Sequence, residues 1–341
     1  MQEETRRHLD YLDGWRGLAI AAVLLGHFWL DDLRPGISVL GVDLFFVLSG
    51  RLMAEILFVR QAPLPTFFAR RFSRVYPGIL FFVVAASLAF IGTPYQHGPL
   101  AALTALSFTI NYAMIYTHPV ALFDHLWSLC VEEHGYLILA GVALLARRRL
   151  GNPAAVMLIL GGAAMLNGIL RSAGFGQGYF DVFWRSDVQV APIFISAGLF
   201  LLLRERSLAR RLPGWIAPAA LALGIAAKLW GGHVAISFGL GTVLLTVAVT
   251  TLDSSLPALR RLFENRALRL LGIWSYSLYL WQQPFYKLAH DGAAPTPLLL
   301  GAAVLAGLAS FYVVERPARG FLNRLWQSRF SRLTPALETR P

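Results

Sequence analysis

Residues 12–27 of the chain read LDGWRGLAIAAVLLGH, an apolar run with an ionisable side chain near each end. This pattern predicts a membrane-crossing helix on which Arg16 and His27 lie eleven residues apart. At about 1.5 Å of rise per residue, roughly 16 Å of membrane depth separates the two side chains. Ionisable groups in hydrocarbon cost roughly 2.5 kcal/mol or more, so they are candidate functional groups by default. The alternative is that Arg16 reaches the interface and His27 only packs between helices.

The rest of the chain is as apolar as this first helix. Its 341 residues are 56% hydrophobic and 14% charged, with a mean hydropathy of +0.57, whereas a soluble domain has roughly 25% charged residues. The net charge of +11 lies in short clusters between apolar runs, which favours a topological role over nucleic-acid binding. The single cysteine, Cys130, excludes a disulfide within the chain. We therefore predict a polytopic membrane protein with one integral domain over residues 1–341.

Ten apolar runs have the length of a membrane span, which requires about 20 residues. They lie near residues 15–30, 37–58, 75–93, 126–146, 154–171, 188–203, 215–231, 234–252, 268–288 and 298–314. The sequence thus predicts an all-α bundle of about ten transmembrane helices.

The distribution of arginines predicts the orientation of these spans. The clusters at 60–74 and 147–149 should both be cytoplasmic, which requires an even number of crossings between them. The polar run at 100–117 is therefore predicted to be a re-entrant or non-crossing segment. Ten crossings then place both termini in the cytoplasm, with a basic cytoplasmic tail over 315–341.

Three ionisable side chains are predicted to converge at one depth in the outer part of the membrane. They are His27 on the first span, Asp43 on the second and Glu132 on the fourth. A carboxylate beside His27 would fix its tautomer and raise its basicity, as a general base requires. The sequence leaves open which carboxylate does this, and a plain hydrogen-bonded clamp between helices is the alternative. Because Glu133 points about 100° away from Glu132, we expect at most one of them in the site.

A second cluster is predicted toward the cytoplasm. Arg71 and Arg74 are three residues apart on one helix face, a spacing suited to binding phosphate groups. Arg51 reaches the same half of the membrane from the second span, with Glu55 as a possible partner. Cytoplasmic charge bias alone is the alternative explanation. Phosphates at one end and a base at the other suggest a substrate threaded between them.

The motifs that carry these residues resemble the membrane acyltransferase-3 family, which includes glycan O-acetyltransferases. The similarity covers nearly the whole chain, through residues 12–17 with His27, Gly41–Gly50, Arg71 with Arg74, His125–Glu132 with Tyr136, Ser275–Trp281 and Val314–Pro317. It implies a ten-helix core that moves acyl groups from cytoplasmic acyl-CoA, commonly acetyl-CoA, to extracytoplasmic hydroxyl acceptors.

The resemblance also implies roles for individual residues. His27 matches the catalytic base, and Asp43 and Glu132 would orient or polarise it. Arg16, Arg71 and Arg74 match positions that hold the coenzyme, and we add Arg51 to this group because of its predicted depth.

The acceptor side of the predicted site departs from the family pattern. Gln282 stands where the family usually carries histidine, and its amide can still hydrogen-bond substrate or an oxyanion. Tyr279 lies in the same segment. Trp184 belongs to an aromatic outer connection suited to stacking on sugars, although an interfacial belt is the alternative. His125 is predicted at the outer rim, as an acceptor contact or as a cap for the fourth span.

Our leading hypothesis is an O-acyltransferase of the bacterial cytoplasmic (inner) membrane. It would transfer an acyl group, in the first instance acetyl, from acyl-CoA to a hydroxyl of a cell-surface or exported glycan, without a metal ion. One alternative is an acyltransferase for a small secondary metabolite such as a macrolide. Another is a proton-coupled transporter or flippase. The sequence does not predict the oligomeric state.

Overall fold

The computed structural model describes residues 2–175, 178–206, 208, 212–230 and 232–333, with the backbone alone for residues 2–9, 179 and 329–333. Residues 176–177 of the predicted aromatic connection and residues 334–341 of the predicted tail lie outside the described residues. The described chain is helical and contains no β-strand, so the all-α prediction is confirmed.

The described residues form sixteen α-helices joined by short turns. In chain order they are α1 Gln2–Leu25, α2 Ile37–Ala54, α3 Leu64–Ala89, α4 Pro99–Leu106, α5 Ile110–Tyr116, α6 Trp127–Arg147, α7 Pro153–Ile169, α8 Tyr179–Phe183, α9 Ser186–Gln189, α10 Ala191–Glu205, α11 Ile216–Lys228, α12 Gly241–Thr250, α13 Pro257–Phe263, α14 Arg266–His290, α15 Thr296–Ala309 and α16 Arg316–Leu333. Five π-helical stretches continue or precede these helices, at Gly26–Leu30, Glu55–Val59, Leu170–Gly174, Ala235–Leu240 and Ser310–Glu315.

Several helices are long and apolar enough to cross a bilayer. In the described chain, five continuous helical segments have at least 18 residues and are apolar enough to cross: Leu64–Ala89, Asp124–Arg147, Pro153–Gly174, Ser186–Glu205 and Thr296–Ser328. Shorter apolar helices cover Ile216–Lys228 and Ala235–Thr250. The protein is therefore an integral membrane protein, whereas ten crossings and cytoplasmic termini stay predictions.

The polar run at 100–117 forms two short helices rather than one long one. Helices α4 and α5 have eight and seven residues, and at about 1.5 Å per residue each is far shorter than a bilayer core of roughly 30 Å. The buried Asn111 on α5 donates hydrogen bonds to the Trp184 carbonyl and the Ser186 hydroxyl, each at 3.0 Å. This segment thus packs on protein, whereas the expectation that it does not cross the membrane stays a prediction.

Helix α1 lies against α14 because glycines allow the two backbones to touch. A Cβ atom added at Gly17 would lie 1.9 Å from the Leu268 carbonyl oxygen, and one at Gly272 would lie 1.8 Å from that of Asp13. Small residues at helix crossings permit such close approach in membranes. Gly17 and Gly272 therefore permit close packing of α1 against α14, the helix whose Gln282 and Tyr286 contact His27.

The described part of the basic tail is a helix on the protein. Helix α16 packs against α3, where the Trp326 indole donates a 3.1 Å hydrogen bond to the Ser73 hydroxyl.

Candidate active site

Three of the four arginines predicted to bind the coenzyme lie around one cavity. This cavity, of about 90 Å³, is bounded by helices α1, α2, α3, α6 and α14, and we call it the basic cavity. Arg16, Arg71 and Arg74 line it, together with Glu132 and Tyr136. The structure therefore brings the first-helix arginine and the α3 pair together.

Arg71 is held by acidic side chains. Its Nη2 atom lies 2.7 Å from Glu132 Oε2, its Nε atom lies 2.7 Å from Glu133 Oε1, and its guanidinium stands 4.4 Å from the Tyr136 ring centroid. Of the two glutamates, only Glu132 lines the basic cavity, whereas Glu133 lines a neighbouring one, which agrees with the prediction that at most one of them faces the same site. Both reach Arg71 because a guanidinium offers donors along two edges and glutamate side chains are long.

Arg74 lines the basic cavity without a direct ionic partner in the described chain. Among the described residues its side chain makes no hydrogen bond or salt bridge; the charges of Arg16, Arg71 and Arg319 repel it, and the Glu315 carboxylate attracts it from beyond salt-bridge distance. Arg16 pairs with Asp13 at 2.6 Å. An anionic group bound in this cavity would relieve the repulsion, which makes Arg74 and Arg16 the candidates for holding phosphate.

Arg51 does not belong to this site, contrary to the prediction. Its fully buried side chain pairs with Asp253 at 2.6 Å and stands 5.6 Å from the Phe200 ring centroid. On a helix Arg51 lies about 200° around from Ser49, which lines the basic cavity, so it faces the opposite side. The suggested partner Glu55 instead pairs with Arg60, at 2.5 Å.

His27 lies in a second, larger cavity of about 380 Å³, which we call the histidine cavity. It is half-buried in the π-helical stretch Gly26–Leu30. Its Nδ1 atom lies 2.9 Å from Gln282 Oε1, and its ring stacks on Tyr286 with 4.6 Å between centroids. The imidazole is thus oriented by an amide and an aromatic ring.

The prediction that Asp43 or Glu132 supports His27 is wrong. Asp43 forms a buried ion pair with Lys228 at 2.8 Å and lines a third cavity of about 480 Å³. Glu132 lies in the basic cavity, where it accepts a 2.7 Å hydrogen bond from Ser49. For Asp43 the reason is helix phase: the preceding Val42 lines the histidine cavity, and one residue turns the helix by about 100°.

The predicted acceptor residues cluster around His27. His125 and Trp184 both line the histidine cavity, with 4% and 6% of their surface exposed. Neither ring nitrogen of His125 has a hydrogen-bond partner in the described chain. A buried imidazole without a well-formed hydrogen bond is costly, which makes His125 a candidate to bind a ligand group in the histidine cavity.

Tyr279 stands between the two cavities. It and Val42 line both of them. The Tyr279 hydroxyl donates a 2.6 Å hydrogen bond to the His125 carbonyl and lies 2.6 Å from the Ser128 hydroxyl. Tyr279 and Val42 therefore form a wall shared by the two cavities.

Comparison with known proteins identifies the family of this chain. The model of an acyltransferase domain matches residues 9–316. The chain belongs to the acyltransferase-3 family. Relatives include the peptidoglycan O-acetyltransferase OatA of Listeria monocytogenes, which is 25% identical across 94% of this chain and 57% of the relative. The O-acetyltransferase OatA of Staphylococcus aureus is 26% identical across 92% of this chain and 57% of the relative.

The chain spans a little over half the length of these curated relatives. No solved structure matches it. The match over residues 9–316 confirms the family that the sequence motifs indicated.

The structure also shows residues in the site of this acyltransferase-3 protein that the sequence did not predict. Asp124, Gln283 and Lys287 line the histidine cavity, and Glu133 binds Arg71. One signal was available, because Gln283 and Lys287 are four residues apart and so share a helix face. No cluster of three potential metal ligands occurs among the described residues.

Proposed function

We propose that this chain is an O-acetyltransferase of the bacterial cytoplasmic membrane that moves acetyl from cytoplasmic acetyl-CoA to a glycan hydroxyl. The observation that carries the proposal is the adjacency of the basic and histidine cavities, with Tyr279 lining both. Two relatives are named O-acetyltransferases, one of them for peptidoglycan. The proposed acceptor is therefore a peptidoglycan-type glycan outside the cytoplasm.

The donor binds with its phosphates in the basic cavity. Among the described residues Arg74 has no salt-bridge partner and Arg16 pairs only with Asp13, so these two bind the coenzyme phosphates. Arg71, already paired with two glutamates, shapes the wall of the cavity. The pantetheine arm then passes Tyr279 and carries the thioester over the roughly 16 Å that separate Arg16 from His27 along α1.

The acceptor binds in the histidine cavity, where His27 acts as general base. Because Gln282 Oε1 accepts a hydrogen bond from Nδ1, the Nε2 atom of neutral His27 carries the free lone pair. Nε2 removes the proton of the acceptor hydroxyl, whose oxygen attacks the thioester carbonyl carbon. His125 donates a hydrogen bond to the tetrahedral oxyanion. The carbon–sulfur bond breaks, the ester forms, and the coenzyme thiolate leaves and takes up the proton from His27.

Arg74→Gln tests the donor site. We expect the KM for acetyl-CoA to rise roughly 10- to 100-fold, because a hydrogen bond to a charged group contributes about 1.5–3 kcal/mol. The acceptor KM should change little. Initial rates of free-thiol release, measured while one substrate is varied, give both constants.

Two variants control this experiment. Arg70→Gln removes a neighbouring exposed arginine from the same helix and should leave both constants unchanged. Trp184→Ala should raise only the acceptor KM, since the tryptophan lines the histidine cavity. A coenzyme KM that Arg74→Gln and Arg70→Gln change equally would show that general positive charge, and no specific phosphate contact, binds the donor.

A further inference from the structure

His27 is the end of a row of hydrogen-bonded side chains that leads away from the cavity. Its Nδ1 atom lies 2.9 Å from Gln282 Oε1. The Gln282 amide nitrogen donates in turn to Gln283 Oε1 at 3.2 Å. Both glutamines are almost fully buried, with 0% and 1% of their surface exposed, so protein groups must satisfy their amides.

The far end of the row is fixed by groups that can only accept hydrogen bonds. The Gln283 amide nitrogen donates to the Ala121 carbonyl at 3.0 Å and to a carboxylate oxygen of Asp124. The other Asp124 oxygen accepts from the Lys287 ammonium at 2.9 Å. A carbonyl and an ion-paired carboxylate have no proton to offer, so Gln283 must turn its nitrogen toward them.

The orientation of the Gln283 amide determines that of Gln282, and Gln282 in turn determines which nitrogen of His27 carries the proton. With its nitrogen directed at Asp124, Gln283 offers only its oxygen to Gln282. Gln282 must then present its nitrogen to Gln283 and its oxygen to His27. That oxygen accepts a proton from Nδ1, so the lone pair of neutral His27 is held on Nε2.

We propose that Asp124 is a positioning residue, which sets the tautomer of His27 through Gln283 and Gln282. The proposal rests on the proposed role of His27 as general base. Without a fixed acceptor at Nδ1, the imidazole could place its proton on Nε2 and would then have no lone pair for the substrate. Asp124 does not contact His27, because the side chains of Gln283 and Gln282 lie between them.

Two single variants should each break the order of donors and acceptors. Asp124→Asn leaves one oxygen for two donors, Lys287 and Gln283. Gln283→Glu removes the donor and sets a carboxylate against Asp124 and the Ala121 carbonyl. We expect each variant to lower kcat about 10- to 100-fold, with the KM for acetyl-CoA unchanged, because small misplacement of a catalytic group has effects of this size.

The double variant should restore the order of donors and acceptors from Lys287 to His27 and recover part of the activity. In Asp124→Asn/Gln283→Glu, the new amide nitrogen donates to the new carboxylate, and the amide oxygen accepts from Lys287. The second oxygen of the new carboxylate accepts from Gln282, whose oxygen again faces His27. The carboxylate at position 283 still faces the Ala121 carbonyl, so we expect kcat to rise above that of both single variants but to stay below wild type, a strong coupling between two contacting residues. Side chains that only fill space would give losses that add.

A matched control is Asp291→Asn, the same substitution just beyond the end of α14. Asp291 accepts a hydrogen bond from Tyr95, and burial together with this carboxylate raises the pKa of Tyr95 to about 12. Asparagine keeps an oxygen for that phenol, so kcat should stay at the wild-type value.

The series separates failure of this inference from failure of the proposed function. If His27→Gln is inactive while Asp124→Asn and Gln283→Glu keep wild-type kcat, the positioning role is wrong. The same holds if the double variant is no better than the poorer single variant. If His27→Gln itself keeps wild-type kcat, the proposed function fails. Gel filtration in detergent checks that each variant is folded.

Discussion

His27→Gln should lower kcat for acetyl transfer by roughly 10²- to 10⁴-fold, the usual contribution of a general base. Glutamine keeps polar contact with Gln282 but has no lone pair of comparable basicity. The expected loss lies in kcat because His27 is in the histidine cavity and the coenzyme phosphates are proposed to bind in the basic cavity. Free-thiol release and labelled acetyl in the acceptor measure the same step independently.

The control for this prediction is His290→Gln. His290 is an exposed histidine at the end of α14, whose ring centroid lies 6.3 Å from that of Tyr286, the residue that stacks on His27. We expect wild-type kcat from it. Wild-type kcat from His27→Gln, with label still reaching the acceptor, would contradict the role of His27 as base.

Arg71→Met should destabilise the protein by about 3–5 kcal/mol, because it leaves two largely buried carboxylates without their cation. Glu132 and Glu133 each lie 2.7 Å from the Arg71 guanidinium, with side-chain exposures of 13% and 19%. The loss arises chiefly from these unpaired carboxylates. Denaturant midpoints of the protein in detergent micelles, followed by circular dichroism, measure it.

Two further variants make this prediction specific. Arg60→Gln breaks the more exposed pair with Glu55 and should cost at most about 1 kcal/mol. Combining Arg71→Met with Glu132→Gln and Glu133→Gln removes the unpaired charges and should recover much of the stability. An Arg71→Met protein that unfolds at the wild-type midpoint would show that the ion pairs are not formed.

The sequence predicted those parts of the site in which both residues of a pair lie on the same helix. Arg16 and His27 share one helix, and their separation follows from helical rise alone. Arg71 and Arg74 share a face of α3, and both line the basic cavity. In each pair the geometry of a single helix sets the distance between the two residues, so it can be predicted without knowing which helices pack nearby.

The errors concern partners that come from distant parts of the chain. Asp43 was expected beside His27 but meets Lys228, and Arg51 meets Asp253, which is 202 residues away. Depth in the membrane follows from position in a span, whereas the direction of a side chain depends on rotation of the helix and on what packs there. One residue changes that direction by about 100°.

The central claim is that acetyl passes from acetyl-CoA to a glycan hydroxyl at His27. Its most direct test uses the purified protein in liposomes, with acetyl-labelled acetyl-CoA at the cytoplasmic face and N-acetylglucosamine oligomers at the other. We predict label in the oligomers equal to the thiol released, and loss of both in His27→Gln. Oligomers that stay unlabelled, or that cross the bilayer without acetyl-CoA, would contradict the account.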